Sequence, residues 1–142
     1  MNLVRVTADK EKAESILKMV ETTLEMIRNV DKSRFPSNVT KEYYEVIREL
    51  MSIILLLDGY KTAGEGAHKR MIEYLEAGYK EFHGNEISLI DDLRIVRNKI
   101  AYDGFFVRAD YVERNLAGIR EIIRKLKKII SRKLGQEEIN AF

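Results

Sequence analysis

Cysteine is absent from this chain, so neither a disulfide framework nor a thiolate metal site can form, and the composition suits a reducing compartment. Long apolar runs are missing as well. The longest, Ile53 to Leu57, falls far short of the roughly 20 residues that span a bilayer. The opening MNLVRVTADKEK holds no stretch of signal-peptide character. A soluble, cytoplasmic protein that does not engage membranes is the expectation. Proline occurs once and glycine eight times in 142 residues, and no repeat, low-complexity tract or linker divides the chain. A single domain over residues 1–142 is implied, and at this length folding buries roughly two-thirds of the chain's surface without help from a metal or disulfide. Charge of one sign is not in excess either, since 25 basic and 23 acidic residues leave a net charge of +2. Such a balance argues neither for nor against nucleic acid.

What is present is distribution and periodicity. Residues 40–86 carry 6 basic and 9 acidic side chains, whereas residues 109–134 carry 8 and 3. The middle of the chain is therefore acidic and its last helix basic. Abundant Lys, Glu and Ile with a single Gln fit a thermophilic source. Apolar residues recur at three and four positions throughout, which predicts an all-α, up-down antiparallel bundle of about five helices near 8–30, 38–58, 67–82, 88–103 and 110–134, with a tail over 135–142. Thr7 or Asp9 caps the first helix. Gly59 ends the second, which is apolar almost all round near its end and belongs at the centre. Ser88 with Asp91, and Asp110 with Glu113, give capping-box-like starts to the fourth and fifth. Short connections imply mostly antiparallel neighbours.

Several catalytic patterns fail. Gly59-x4-Gly64 begins like a phosphate-binding loop, but Glu65 and Gly66 stand where Lys and Ser or Thr are required, and no strand is expected before it. Glu65-x-x-His68 is half of a bundle di-metal site with no second copy. The histidines, His68 and His83, lie at a helix start and in a loop, without a nucleophile elbow nearby. No metal site and no cofactor are expected.

The fourth helix is the informative stretch. At 100° per residue Leu89, Leu93, Val96 and Ile100 form one stripe, which Ile90, Arg97 and Ala101 continue. Arg97 thus falls within an apolar sector. A guanidinium there cannot shed its charge and needs a facing carboxylate or phosphate. Glu49 or Glu45 on the second helix would serve as the carboxylate; the other reading is an anion site. Ile95, Asn98 and Tyr102 lie on the opposite side, so the helix is expected to be covered twice, by another helix or by a second subunit. Asn98 has poor propensity in mid-helix, which points to a wanted amide hydrogen bond.

Arg97-Asn98-x3-Tyr102 resembles the signature of the HEPN domains (higher eukaryotes and prokaryotes nucleotide-binding), in which Arg and a polar residue are followed by a His four to six positions beyond the Arg. The resemblance extends in pattern to the bundle order and the segment from Tyr43 to Leu75. It implies a two-fold homodimer with apposed motif helices, and either metal-independent ribonuclease activity or pairing with a small nucleotidyltransferase in toxin–antitoxin systems. By position, Arg97 would bind phosphate and Asn98 would be its polar neighbour. Tyr102 occupies the His position. A phenol titrating near 10 is a poor base where an imidazole near 6.5 serves, so weak or no catalysis is expected unless His68 supplies the proton relay. The position that carries a modifiable Tyr in one branch of the family is Gly104.

On the last helix Arg120, Arg124, Lys128 and Arg132 stand at successive i+4 positions, a like-charge spacing that opposes the helix. Acidic middle helices, an acidic partner or a nucleic-acid backbone would offset it, and Arg120, Arg124 and Lys128 are candidate binding residues. Three readings result. One is a homodimeric HEPN-like module binding RNA or nucleotide phosphate, or docking a nucleotidyltransferase. The second is a metal-independent endoribonuclease using Arg97 with Tyr102 or His68. The third is a structural bundle with Arg97 in an internal salt bridge.

Overall fold

The computed structural model describes residues 3–135, so the expected tail lies, beyond Gly135, outside the described residues. Five helices carry the fold: α1 (Lys10–Arg28), α2 (Pro36–Asp58), α3 (Ala67–Gly78), α4 (Gly84–Asp103) and α5 (Ala109–Lys133). They form the expected all-α bundle, joined by a small ribbon of β1 (Leu3–Arg5) and β2 (Tyr60–Thr62).

Local chemistry sets most of the boundaries. Asp9 caps α1 by accepting from the Lys12 N–H at 2.9 Å. Pro36 occupies the first turn of α2, where its missing donor costs nothing. Gly59 ends that helix at φ +90°, a left-handed conformation that favours glycine. The start of α4 differs from expectation. It lies at Gly84, four residues before Ser88, because His83 is the capping residue and the Glu86 carboxylate accepts from the His83 N–H at 2.8 Å. Similarly, α5 begins after Arg108 with no side-chain cap, and Asp110 sits inside its first turn. The third helix stops at Gly78, yet Phe82 beyond it stays buried.

Helix α2 is the axis of the molecule and packs against all four other helices. Tyr44, Ile47, Leu50, Met51, Ile53 and Ile54 are fully buried, each large apolar side chain contributing about 1.5–3 kcal/mol. The ribbon turns the chain around after α2. β2 pairs antiparallel with β1 in the register Leu3↔Thr62, Val4↔Lys61, Arg5↔Tyr60, and so carries the chain back along α2. As a result α3 runs the same way as α2. His68 at its start packs on Tyr44 with ring centroids 6.1 Å apart, while Tyr74 and Tyr79 near its end donate to Asp58 at 2.7 and 2.6 Å. Helix α5 also runs with α2. The Val107 N–H donates to the Ser37 hydroxyl at 2.7 Å at one end, and Lys133 pairs with Asp58 at the other.

The basic character of α5 is answered within the chain. Lys125 pairs with Glu86 at 2.7 Å, Lys127 with Glu21 at 2.5 Å and Arg132 with Glu81 at 2.7 Å. Arg124 donates to both oxygens of Glu121, at 2.7 and 2.9 Å. The acidic middle of the chain and α1 therefore offset the repulsion along the last helix. No helix of the described residues is long and apolar enough to cross a membrane.

Candidate functional site

Where α2, the first turn of α3 and the middle of α4 meet, the core gives way to a polar cluster. Its centre is Glu45. One carboxylate oxygen accepts from Arg48 Nε at 3.1 Å and Nη2 at 2.8 Å. The other lies 3.3 Å from Arg97 Nε. That second contact is an ion pair rather than a hydrogen bond: both atoms are buried, and neither completes a bond of good geometry with a described residue. Arg97 Nη1 donates to the Asn98 side-chain oxygen at 3.3 Å. One turn earlier on α4, Arg94 Nε donates to Asp91 at 2.9 Å. Glu49 stands 3.7 Å from Arg48, and burial pushes its carboxyl above the ordinary range against the pull of that guanidinium. Three guanidiniums thus face three carboxylates, and the charges balance.

Beside them sit two uncharged groups with altered chemistry. Tyr44 is fully buried, its hydroxyl has no hydrogen-bond partner among the described residues, and burial pushes the phenol up to about 12. His68 is partly buried. Burial first, then the field of Arg48, lowers its pKa, with Arg97 and Arg94 acting the same way and Glu45 opposing. Its imidazole is neutral at pH 7 and placed within the electrostatic reach of all three arginines.

The residues expected from sequence are distributed unevenly. Arg97 and Asn98 meet, and Glu45, one of the two carboxylates named for Arg97, is its partner. His68 joins the cluster. Tyr102 does not: it is 78% exposed in the last turn of α4, and its side chain makes no hydrogen bond, ion pair or ring contact with a described residue. Arg120 lies on the far side of α2, where it shares a small cleft with Tyr43 and Arg28. With Arg124 on Glu121 and Lys128 exposed, the α5 candidates form a separate surface. Tyr44, Arg48 and Arg94 escaped the sequence reading. The one available signal was spacing, since Arg94 precedes Arg97 and Arg48 follows Glu45 by a single helical turn.

The stripe predicted for α4 is only half buried. Leu93 is covered completely and Ile90 with it, but Leu89, Val96 and Ile100 are partly covered and Ala101 is exposed. Beyond Leu93 no residue of α4 is buried. The uncovered part of α4 carries Ile95 and Tyr102, and the segment that follows it carries Phe105 and Phe106, the last 85% exposed. Among the described residues no group of three or more metal-ligating side chains gathers.

The arrangement can hold an anion in one way. A phosphate oxygen that displaces Glu45 from Arg97 would meet a permanently charged, partly exposed guanidinium. Comparison with family models, with curated proteins and with solved structures gives no match.

Proposed function

We propose that the chain is a HEPN-like helical module that acts as a homodimer and binds the phosphate of RNA or of a nucleotide at Arg97. The observation that carries this reading is the pairing, on one helix, of an incompletely bonded arginine with an uncovered apolar end. Arg97 makes poor geometry with Glu45, and its side chain keeps 23% of its exposure. Ile95, Tyr102 and Phe106 give a second copy an apolar surface to cover. A second copy covering that surface would place Asn98, which shares the side of Ile95 and Tyr102 and accepts from Arg97, beside the interface.

In this reading the protein is a cytoplasmic toxin–antitoxin type module paired with a small nucleotidyltransferase, with weak or no catalysis of its own. Tyr102 has no described group bonded to it that could activate its hydroxyl. Where RNA is cleaved, His68 is the group suited to trade the proton, because its imidazole titrates below its ordinary value within the arginine cluster.

A second reading has its own observation. The 3.3 Å approach of Arg97 to Glu45 is what an internal salt bridge in a structural bundle requires. Light scattering on the purified chain with binding of a single-stranded RNA separates the two. The dimeric module forms a dimer that binds RNA in chelator and loses the RNA in Arg97→Ala. A monomer indifferent to RNA is the structural bundle.

A further inference from the structure

A cleft of about 410 Å³ opens between the ribbon, α1, α2 and the start of α3. Arg48 and His68 of the polar cluster reach its lining, with Arg48 held by Glu45, but Arg94, Arg97 and Asn98 do not, so it is separate from the proposed phosphate contact at Arg97. Its volume lies within the range of small-molecule sites, about 300–1,000 Å³.

Its chemistry is divided. Ile16, Leu55, Leu56 and Met71 make an apolar floor. Lys12, in the first turn of α1, and Lys61, in the middle of β2, stand on the rim. Neither ammonium has a carboxylate partner among the described residues, although the chain pairs six of the eight cations of α5. Asp9 is the single acidic residue of the lining, and its carboxylate is engaged in capping α1. Thr7 and Thr62 add hydroxyls from the ribbon side. At the inner end lies His68, neutral at pH 7 and backed by the ring of Tyr44.

From this placement we propose that the cleft binds a nucleoside phosphate. The base covers the apolar floor and hydrogen-bonds with the His68 imidazole, which in its neutral form offers one donor and one acceptor. The ribose meets the threonine hydroxyls, and the phosphate lies between Lys12 and Lys61. A fatty acid would satisfy the floor and the ammoniums but leave the imidazole and hydroxyls without partners, which disfavours it. Inorganic phosphate would leave the floor wet.

The test is calorimetric titration of the full chain with AMP, GMP, CMP and UMP, with adenosine and inorganic phosphate as controls, and with the His68 ring protons followed by NMR. At least one monophosphate is expected to bind saturably and shift the His68 resonances, with adenosine and phosphate each weaker by roughly tenfold or more. Lys12→Glu with Lys61→Glu, both exposed and so compatible with folding, abolishes that binding. Arg97→Ala leaves it in place. Failure of all four nucleotides to bind at about 5 mM, or binding that survives the lysine reversals, overturns the proposal. Loss in Arg97→Ala alone would move the nucleotide to the other site and overturn it equally. RNA binding by the lysine double variant then reports on Arg97 independently.

Discussion

Arg97 and Glu45, fifty-two positions apart, meet 3.3 Å from one another across α4 and α2, each with about a quarter of its side chain exposed. Exposure sets what this contact is worth. A fully buried pair that loses one partner costs about 3–5 kcal/mol, whereas a solvent-screened one contributes about 1 kcal/mol or less. Arg97→Ala is therefore expected to lower the unfolding free energy by about 1 kcal/mol, read from urea denaturation. A loss several times larger would place the arginine among the structural residues.

The end of α4 gives a prediction about assembly. Tyr102→Glu combined with Phe106→Ser places a charge and a hydroxyl on the uncovered apolar surface, and if the parent chain is the proposed dimer, light scattering should report a monomer for the variant. Because both side chains are exposed, stability of the monomer should change by no more than about 0.5 kcal/mol. A variant that stays dimeric puts the interface elsewhere.

Asp58 is the hub at the opposite end of the molecule, accepting from Tyr74 and Tyr79 and paired with Lys133. Burial pushes its carboxyl up, but the hydrogen bonds from Lys133, Tyr79 and Tyr74 outweigh burial and hold it below its ordinary 3.8. With the folded value depressed, this stabilisation is complete above the ordinary value and fades as pH falls through the lower, folded one. Asp58→Asn is expected to cost roughly 2–3 kcal/mol at pH 7 and to flatten the acid limb of a stability–pH curve. An unchanged acid limb would show that other carboxylates govern it.

His68 predicts a dependence nearer neutrality. Its folded pKa lies below the ordinary 6.5, so the unfolded chain takes up the proton first as pH falls. Stability contributed by the neutral imidazole is full above 6.5 and declines as pH drops toward the folded value. His68→Gln should remove that decline, as thermal melts between pH 7.5 and 5.5 would show. A parent chain equally stable across that window contradicts the placement.

Most of the fold was legible because helices advertise themselves locally. The stripes of α1 and α5, the glycine stop at Gly59 and the cap at Asp9 all lie within a turn or two of the residues they organise. The ribbon was not legible, since three-residue strands such as Tyr60–Thr62 are too short to show alternation. The early start of α4 was hidden because histidine is an unusual cap for Glu86 to complete. The site was legible only in part. Arg97 stood out against its apolar neighbours and Glu45 was one of two carboxylates within reach. Tyr44, Arg48 and Arg94 become a group only when α2 and α4 converge, and the one-turn spacing of Arg48 from Glu45 and of Arg94 from Arg97 does not by itself say that the two helices meet there. Likewise, partners such as Lys125 with Glu86 and Lys133 with Asp58 resolve the repulsion along α5 from distant parts of the chain.

The most direct measurement is the affinity of a single-stranded RNA for the parent chain, Arg97→Ala and Glu45→Gln at one fixed salt concentration. If Arg97 is a phosphate contact restrained by Glu45, RNA affinity falls roughly tenfold in Arg97→Ala and rises several-fold in Glu45→Gln, where the guanidinium is released. Equal affinity in all three chains, with both substitutions weakening the fold instead, would contradict it.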